Sequence, residues 1–146
     1  MKTAAVFCRT LVRVTGPALI VLGVLFWTGH AMSSISLHMA LGVVLVLSLW
    51  ALAVLAAVAR VSLGLVILSV AWGFVVPILG VVQTRLLPGP AHWVIQVLHL
   101  LVGMAALGLA DTLATRITSV AGALRSPGRP SAVATPAGVE GGVARR

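Results

Sequence analysis

The chain has 146 residues, of which 60% are hydrophobic and only 8% charged. A water-soluble domain carries charge on roughly a quarter of its residues, so this composition excludes an ordinary solvated surface and makes lipid the expected solvent. The net charge of +8 comes from ten basic residues against two acidic ones, Asp111 and Glu140. These basic residues flank apolar runs and form no patch interleaved with aromatics, which argues against a nucleic-acid partner.

In chain order, residues 1–13 form a basic N-terminal segment with Lys2, Arg9, Arg13 and a lone Cys8 that offers no disulfide framework. A first apolar run covers Val14 to Trp27 and extends to His30. It is followed by a turn at Ser33-Ser34 and a second run from Ile35 to Ala59. Arg60 separates this from a third run, Val61 to Val82, and Leu87-Pro88-Gly89-Pro90 precedes a fourth, Ala91 to Ala110. Each run approaches the ~20 residues that span a bilayer's hydrocarbon core. Short connections force neighbouring helices to run antiparallel. The expected fold is therefore an all-α, integral membrane, up-down four-helix bundle over residues 14–116.

Residues 117–146 turn to Ser, Pro, Gly, Ala and Arg, and are expected to form a disordered basic tail. Its arginines suit anionic lipid headgroups. Arginines and lysine cluster before the first run, at Arg60 and after the fourth, with Arg85 the exception on the other side. The positive-inside rule then places both termini in the cytoplasm, as for a protein of a bacterial inner membrane. Trp27 and Trp93 fall at the outer interface, while Trp50 and Trp72 lie deeper, where packing is the simplest account. A second reading makes the first run a secretory signal, although Gly29-His30-Ala31-Met32-Ser33 is not the small-x-small site a signal peptidase prefers. The spanning helix is the preferred reading.

All four histidines, His30, His38, His92 and His99, fall on the outer half. An ionisable group within an apolar span is costly, and so points to function. Leu37-His38-Met39-Ala40-Leu41-Gly42 and Leu98-His99-Leu100-Leu101-Val102-Gly103 share the pattern Leu-His-x-x-x-Gly. Two hairpins in one orientation, related by an axis along the membrane normal, would produce this repeat. The second and fourth helices of such a bundle run the same way and can oppose His38 to His99 across its core.

Gly42 and Gly103, one turn from each histidine on the same face, leave room there for something flat and wide. Neutral imidazole is the usual haem ligand, whereas zinc wants more ligands than this depth offers. His92, Gln96, His99 and Gly103 line one stripe of the fourth helix, with Gln96 placed to orient an imidazole. Arg85 is placed to meet a haem propionate, a quinone or a lipid headgroup. Counted back from Arg60 and Arg116, however, His38 is nearer in depth to His92 than to His99. His38 with His99 is the preferred pair, and His38 with His92 stays open. Interfacial His30 and His92 otherwise read as polar anchors.

From about Leu11 to Ile117 the chain resembles the four-helix membrane b-type cytochromes and one half of haem A synthase. The resemblance rests on Leu37-His38 to Gly42, Leu98-His99 to Gly103, and the Gly80 to Gln83 segment. It implies haem b ligated by His38 and His99, with electron transfer to or from a quinone or a membrane redox partner, or haem handling. It does not extend to synthase activity, because the acidic residue near an outer histidine is missing. No nucleophile-base-acid set, phosphate loop or carboxylate pair is present, so no reaction is assigned. The alternative is a non-enzymatic accessory or assembly subunit of a larger membrane complex. Small residues along the spans would suit either homo- or hetero-oligomeric packing. A transporter ranks below both, because the span centres hold few polar groups.

Overall fold

A computed structural model describes residues 2–123, and all its secondary structure is helical. Four long helices follow one another: α1 (Lys2–Trp27), α2 (Ile35–Val58), α3 (Leu63–Val82) and α4 (His92–Ala123). Single 3₁₀ turns at Met32–Ser34 and Gln83–Arg85 lie in the first and third connections. All four helices are long and apolar enough to cross a membrane.

Each boundary has a local cause. Helix α1 closes with a paired C-terminal motif, in which His30 N–H donates to Leu25 O at 2.8 Å and Gly29 N–H donates to Phe26 O at 3.0 Å. This motif needs a left-handed residue just past the helix, and Gly29 supplies it with φ 77°. Helix α2 ends in the same way, with Val61 N–H to Ala56 O and Arg60 N–H to Ala57 O. Here the left-handed position is held by Arg60, with φ 56°. The third connection turns at Leu87 and Gly89, with φ 45° and 94°.

Both outer helices of the chain extend further than composition suggests. Helix α1 begins at Lys2 and runs unbroken through the basic segment. Helix α4 continues past Arg116 to Ala123. Residues 117–123, expected in the disordered tail, are therefore helical. Their alanines and Val120 sustain the last turns where a composition average sees only a polar shift. The remainder of the expected tail, residues 124–146, lies outside the described residues.

The helices pack as a flattened diamond. Helices α2 and α4 touch across the middle, and α1 and α3 each pack against both of them. Lys2 Nζ lies 3.9 Å from where a Cβ on Gly122 would sit, so the start of α1 and the end of α4 are neighbours. We call this the termini end; the Thr28–Ser34 and Gln83–Ala91 connections form the far end.

Burial is unevenly distributed. The core is built from Ala5 and Val12 of α1, Leu49, Leu52 and Ala53 of α2, Val66 of α3, and Ala106, Ala110, Leu113 and Ile117 of α4. Towards the far end, residues 17–44 and 77–94 contain no buried residue. Both stretches start at a proline inside a helix, Pro17 in α1 and Pro77 in α3. A helical proline removes one backbone hydrogen bond and crowds the carbonyl four residues back, so each flanking helix is weakened where close packing stops. The outer surface is apolar, with Leu63, Val81 and Val58 respectively 69%, 68% and 64% exposed. An exposed apolar surface of this extent suits hydrocarbon and not water.

Two indoles stitch the middle of the bundle. Trp50 Nε1 of α2 donates to Val70 O of α3 at 3.2 Å, and Trp72 Nε1 of α3 donates to Val102 O of α4 at 2.9 Å. Both residues pack against the core, as expected, and these bonds add to that packing. An indole N–H surrounded by apolar side chains or hydrocarbon needs an acceptor, and a helix carbonyl has a spare lone pair.

Candidate functional site: two opposed imidazoles

Helix α2 places His38 in its first turn, and α4 places His99 near the end of its second. Because α2 and α4 are the pair that meet across the bundle, their rings come together, with centroids 6.5 Å apart and planes at 45°. Phe26, near the end of α1, sets its ring edge against His38 at 5.4 Å between centroids. On the other side, the space a Cβ on Gly80 of α3 would occupy is 3.3 Å from His99 Cε1. All four helices thus contribute to the surroundings of this pair.

The depth mismatch expected from the sequence is absorbed by an offset between the helices. His38 is three residues past the start of α2, and His99 seven past the start of α4. At ~1.5 Å per residue, α4 must start about 6 Å, or one turn, further out than α2. Arg116 was a misleading marker for the opposite end, since α4 runs on to Ala123.

Both imidazoles carry an unsolved polar problem. His38 Nδ1 and His99 Nδ1 are buried and have no hydrogen-bond partner. A buried polar atom left unpaired costs on the order of 1–3 kcal/mol, and such atoms are uncommon in folded proteins. Gln96, expected to orient an imidazole, is half-buried on α4 and makes no hydrogen bond among the described residues.

The other two histidines are satisfied locally. His92 Nδ1 pairs with Leu86 O at 3.2 Å, and His30 Nδ1 with Thr28 Oγ1 at 3.1 Å. His92 therefore serves the third connection, and the ring that His38 meets belongs to His99. Arg85 is exposed in the 3₁₀ turn that opens that connection and forms no ion pair among the described residues. A Cβ on Gly42 or Gly103 would meet nothing within 4 Å, so neither glycine is required by the chain's own packing.

Among the described residues no group of three or more potential metal ligands occurs. Two facing imidazoles would suit a metal that brings its remaining ligands with it. Two rings on one metal, with bonds of about 2 Å each, hold their centroids roughly 6 Å apart, close to the 6.5 Å found. In this respect His38 and His99 fit a haem. A shallow apolar groove of about 310 Å³ between α3 and α4, lined by Leu68, Trp72, Ala105, Gly108, Leu109 and Thr112, lies nearer the termini end. It presents Thr112 as its lone hydroxyl, already donating to Gly108 O.

Sequence reasoning missed one polar cluster. Arg9 donates from Nε and Nη2 to the two Asp111 oxygens at 2.7 and 2.9 Å, and Arg13 Nη2 lies 3.0 Å from Asp111 Oδ1. Arg9 and Arg13 were read as flanking charges, yet they are one turn apart on α1 and face the single acid of α4. A lone carboxylate in an apolar run is the signal that would have found them.

No protein-family model, curated protein or solved structure matches the chain.

Proposed function

We propose that the chain is a membrane-embedded b-type haem protein that holds one haem between His38 and His99. The observation that carries this reading is the pair of buried, partnerless Nδ1 atoms on rings 6.5 Å apart, contributed by the two helices that meet across the bundle. A fold that needed these positions only for packing would do better with leucine, because an apolar side chain leaves no polar atom unpaired. The scarcity of buried residues towards the far end, where both rings sit, supports a place for a flat ligand.

When bound, haem supplies a one-electron couple. The chain's residues then have three tasks. His38 and His99 donate their ring nitrogens, Phe26 walls the His38 side, and the apolar helices exclude water from the metal. Arg85, the free cation of the far end among the described residues, is placed to meet a propionate. With both termini in the cytoplasm, the site lies near the outer face and exchanges electrons there with a quinone or a membrane redox partner. The test is the haem content of the chain purified in mild detergent from cells supplied with haem. One haem b per chain is expected, and iron-free protein contradicts the reading.

A second reading, an accessory subunit packed against a larger membrane complex, draws on Gly23, Gly64 and Gly108, where a Cβ would meet nothing within the chain. Small residues on a lipid-facing surface admit another helix closely. Colourless protein that co-purifies with other membrane subunits would favour it.

A further inference from the structure

We infer that Gly80 of α3 is a positioning residue for His99, setting the orientation of that imidazole through the space its missing side chain leaves. The inference rests on the haem reading for its purpose, but the contact itself does not. A Cβ on Gly80 would lie 3.3 Å from His99 Cε1 and 3.9 Å from Nε2, so the Cε1–Nε2 edge of the ring passes over the glycine backbone. The first distance is too tight for an ordinary carbon contact, and a methyl group there must displace the ring by a few tenths of an ångström.

Ring orientation at this site is unusually dependent on such a contact. Imidazoles that ligate metals are normally fixed by a hydrogen bond from their second nitrogen. His99 makes no hydrogen bond from either ring nitrogen among the described residues, so whichever nitrogen takes the metal, the other has no protein partner to fix the ring. Packing alone therefore holds the ring, with His38 beside it and Gly80 on the α3 side. The remaining glycines behave differently. Gly16 and Gly73 make room for Leu107 and Trp50, and Gly42, Gly64 and Gly103 face open space. Gly80 is the glycine that touches a candidate ligand.

The test compares Gly80→Ala with Gly64→Ala, a control on the same helix where a Cβ meets nothing. In haem-free protein with isotope-labelled histidine, Gly80→Ala is expected to move the His99 Cε1–Hε1 resonance and leave those of His30 and His92 in place. Gly64→Ala should move none of them. In haem-loaded protein, Gly80→Ala should change the midpoint potential and the low-spin electron-resonance signature, and speed haem loss about tenfold, as overpacking by one methyl group implies. A Gly80→Ala chain whose His99 resonance equals that of the wild type overturns the inference. If the wild type takes up no haem yet Gly80→Ala moves the His99 resonance alone, the haem reading fails and the positioning role stands.

Discussion

Asp111 on α4 receives both hydrogen bonds of Arg9 on α1, at 2.7 and 2.9 Å, across 102 positions of sequence, while Arg13 approaches the same carboxylate from the next turn. The first and last helices are tied at this point, towards the termini end. Arg9 is 29% exposed against 62% for Arg13, so the Arg9 bond is the better shielded from water and salt.

Removing this carboxylate should loosen the bundle without touching the histidine site. Asp111→Asn is expected to cost about 1–2 kcal/mol, between an exposed pair and a buried one. Arg9→Ala should cost more than Arg13→Ala. Unfolding in mixed micelles measures all three. Equal and negligible effects would show the cluster to be incidental.

Gly73 and Trp50 form a tighter joint between α2 and α3. A Cβ on Gly73 would overlap the Trp50 indole nitrogen, and that indole is held by its bond to Val70 O. Gly73→Ala should destabilise by roughly 1–3 kcal/mol, the usual cost of overpacking. In a Trp50→Leu background the same substitution should cost much less, and a double-mutant cycle reads the difference. Gly16→Ala is expected to be milder, because its neighbour is the flexible tip of Leu107.

Trp72→Phe keeps an aromatic ring at the α3–α4 contact but removes the 2.9 Å bond to Val102 O. The expected loss is about 1 kcal/mol, typical of a hydrogen bond within a membrane bundle. Unchanged stability would mean that packing carries the contact.

His38→Leu and His99→Leu should separate stability from function. In haem-free protein each is expected to leave stability unchanged or raise it by about 1 kcal/mol, since each removes a buried, unpaired Nδ1. Each should also abolish haem uptake. A loss of several kcal/mol in the haem-free protein would instead make these residues structural.

Much of the architecture was legible in the sequence because a long apolar helix announces itself by length and flanking turns. The four helices fall where the apolar runs do, and Arg60, read as the second turn, holds the left-handed end of α2. The far ends of α1 and α4 were not legible. Lys2 to Arg13 carries three basic residues, and Ile117 to Ala123 opens the small-residue tail, so both look like flanks although their helical backbone continues from the apolar runs. At the candidate site, the shared Leu-His-x-x-x-Gly pattern selected His38 and His99, and the structure brings those two rings together. Their common depth depends on a one-turn offset between α2 and α4, which the third connection sets and no local pattern encodes. Gly80 stood out only as the start of the Gly80 to Gln83 segment, and its contact with His99 was not legible because that neighbour lies on another helix.

The most direct test of the central claim is a pair of visible spectra, oxidised and dithionite-reduced, of haem-supplied wild-type protein and of the His38→Ala, His99→Ala and His92→Ala variants. The account predicts a six-coordinate b-type spectrum with sharp reduced α and β bands in the wild type and in His92→Ala. It predicts loss of that spectrum in both His38→Ala and His99→Ala. A colourless wild type, or a spectrum that survives His99→Ala and disappears in His92→Ala, would contradict it.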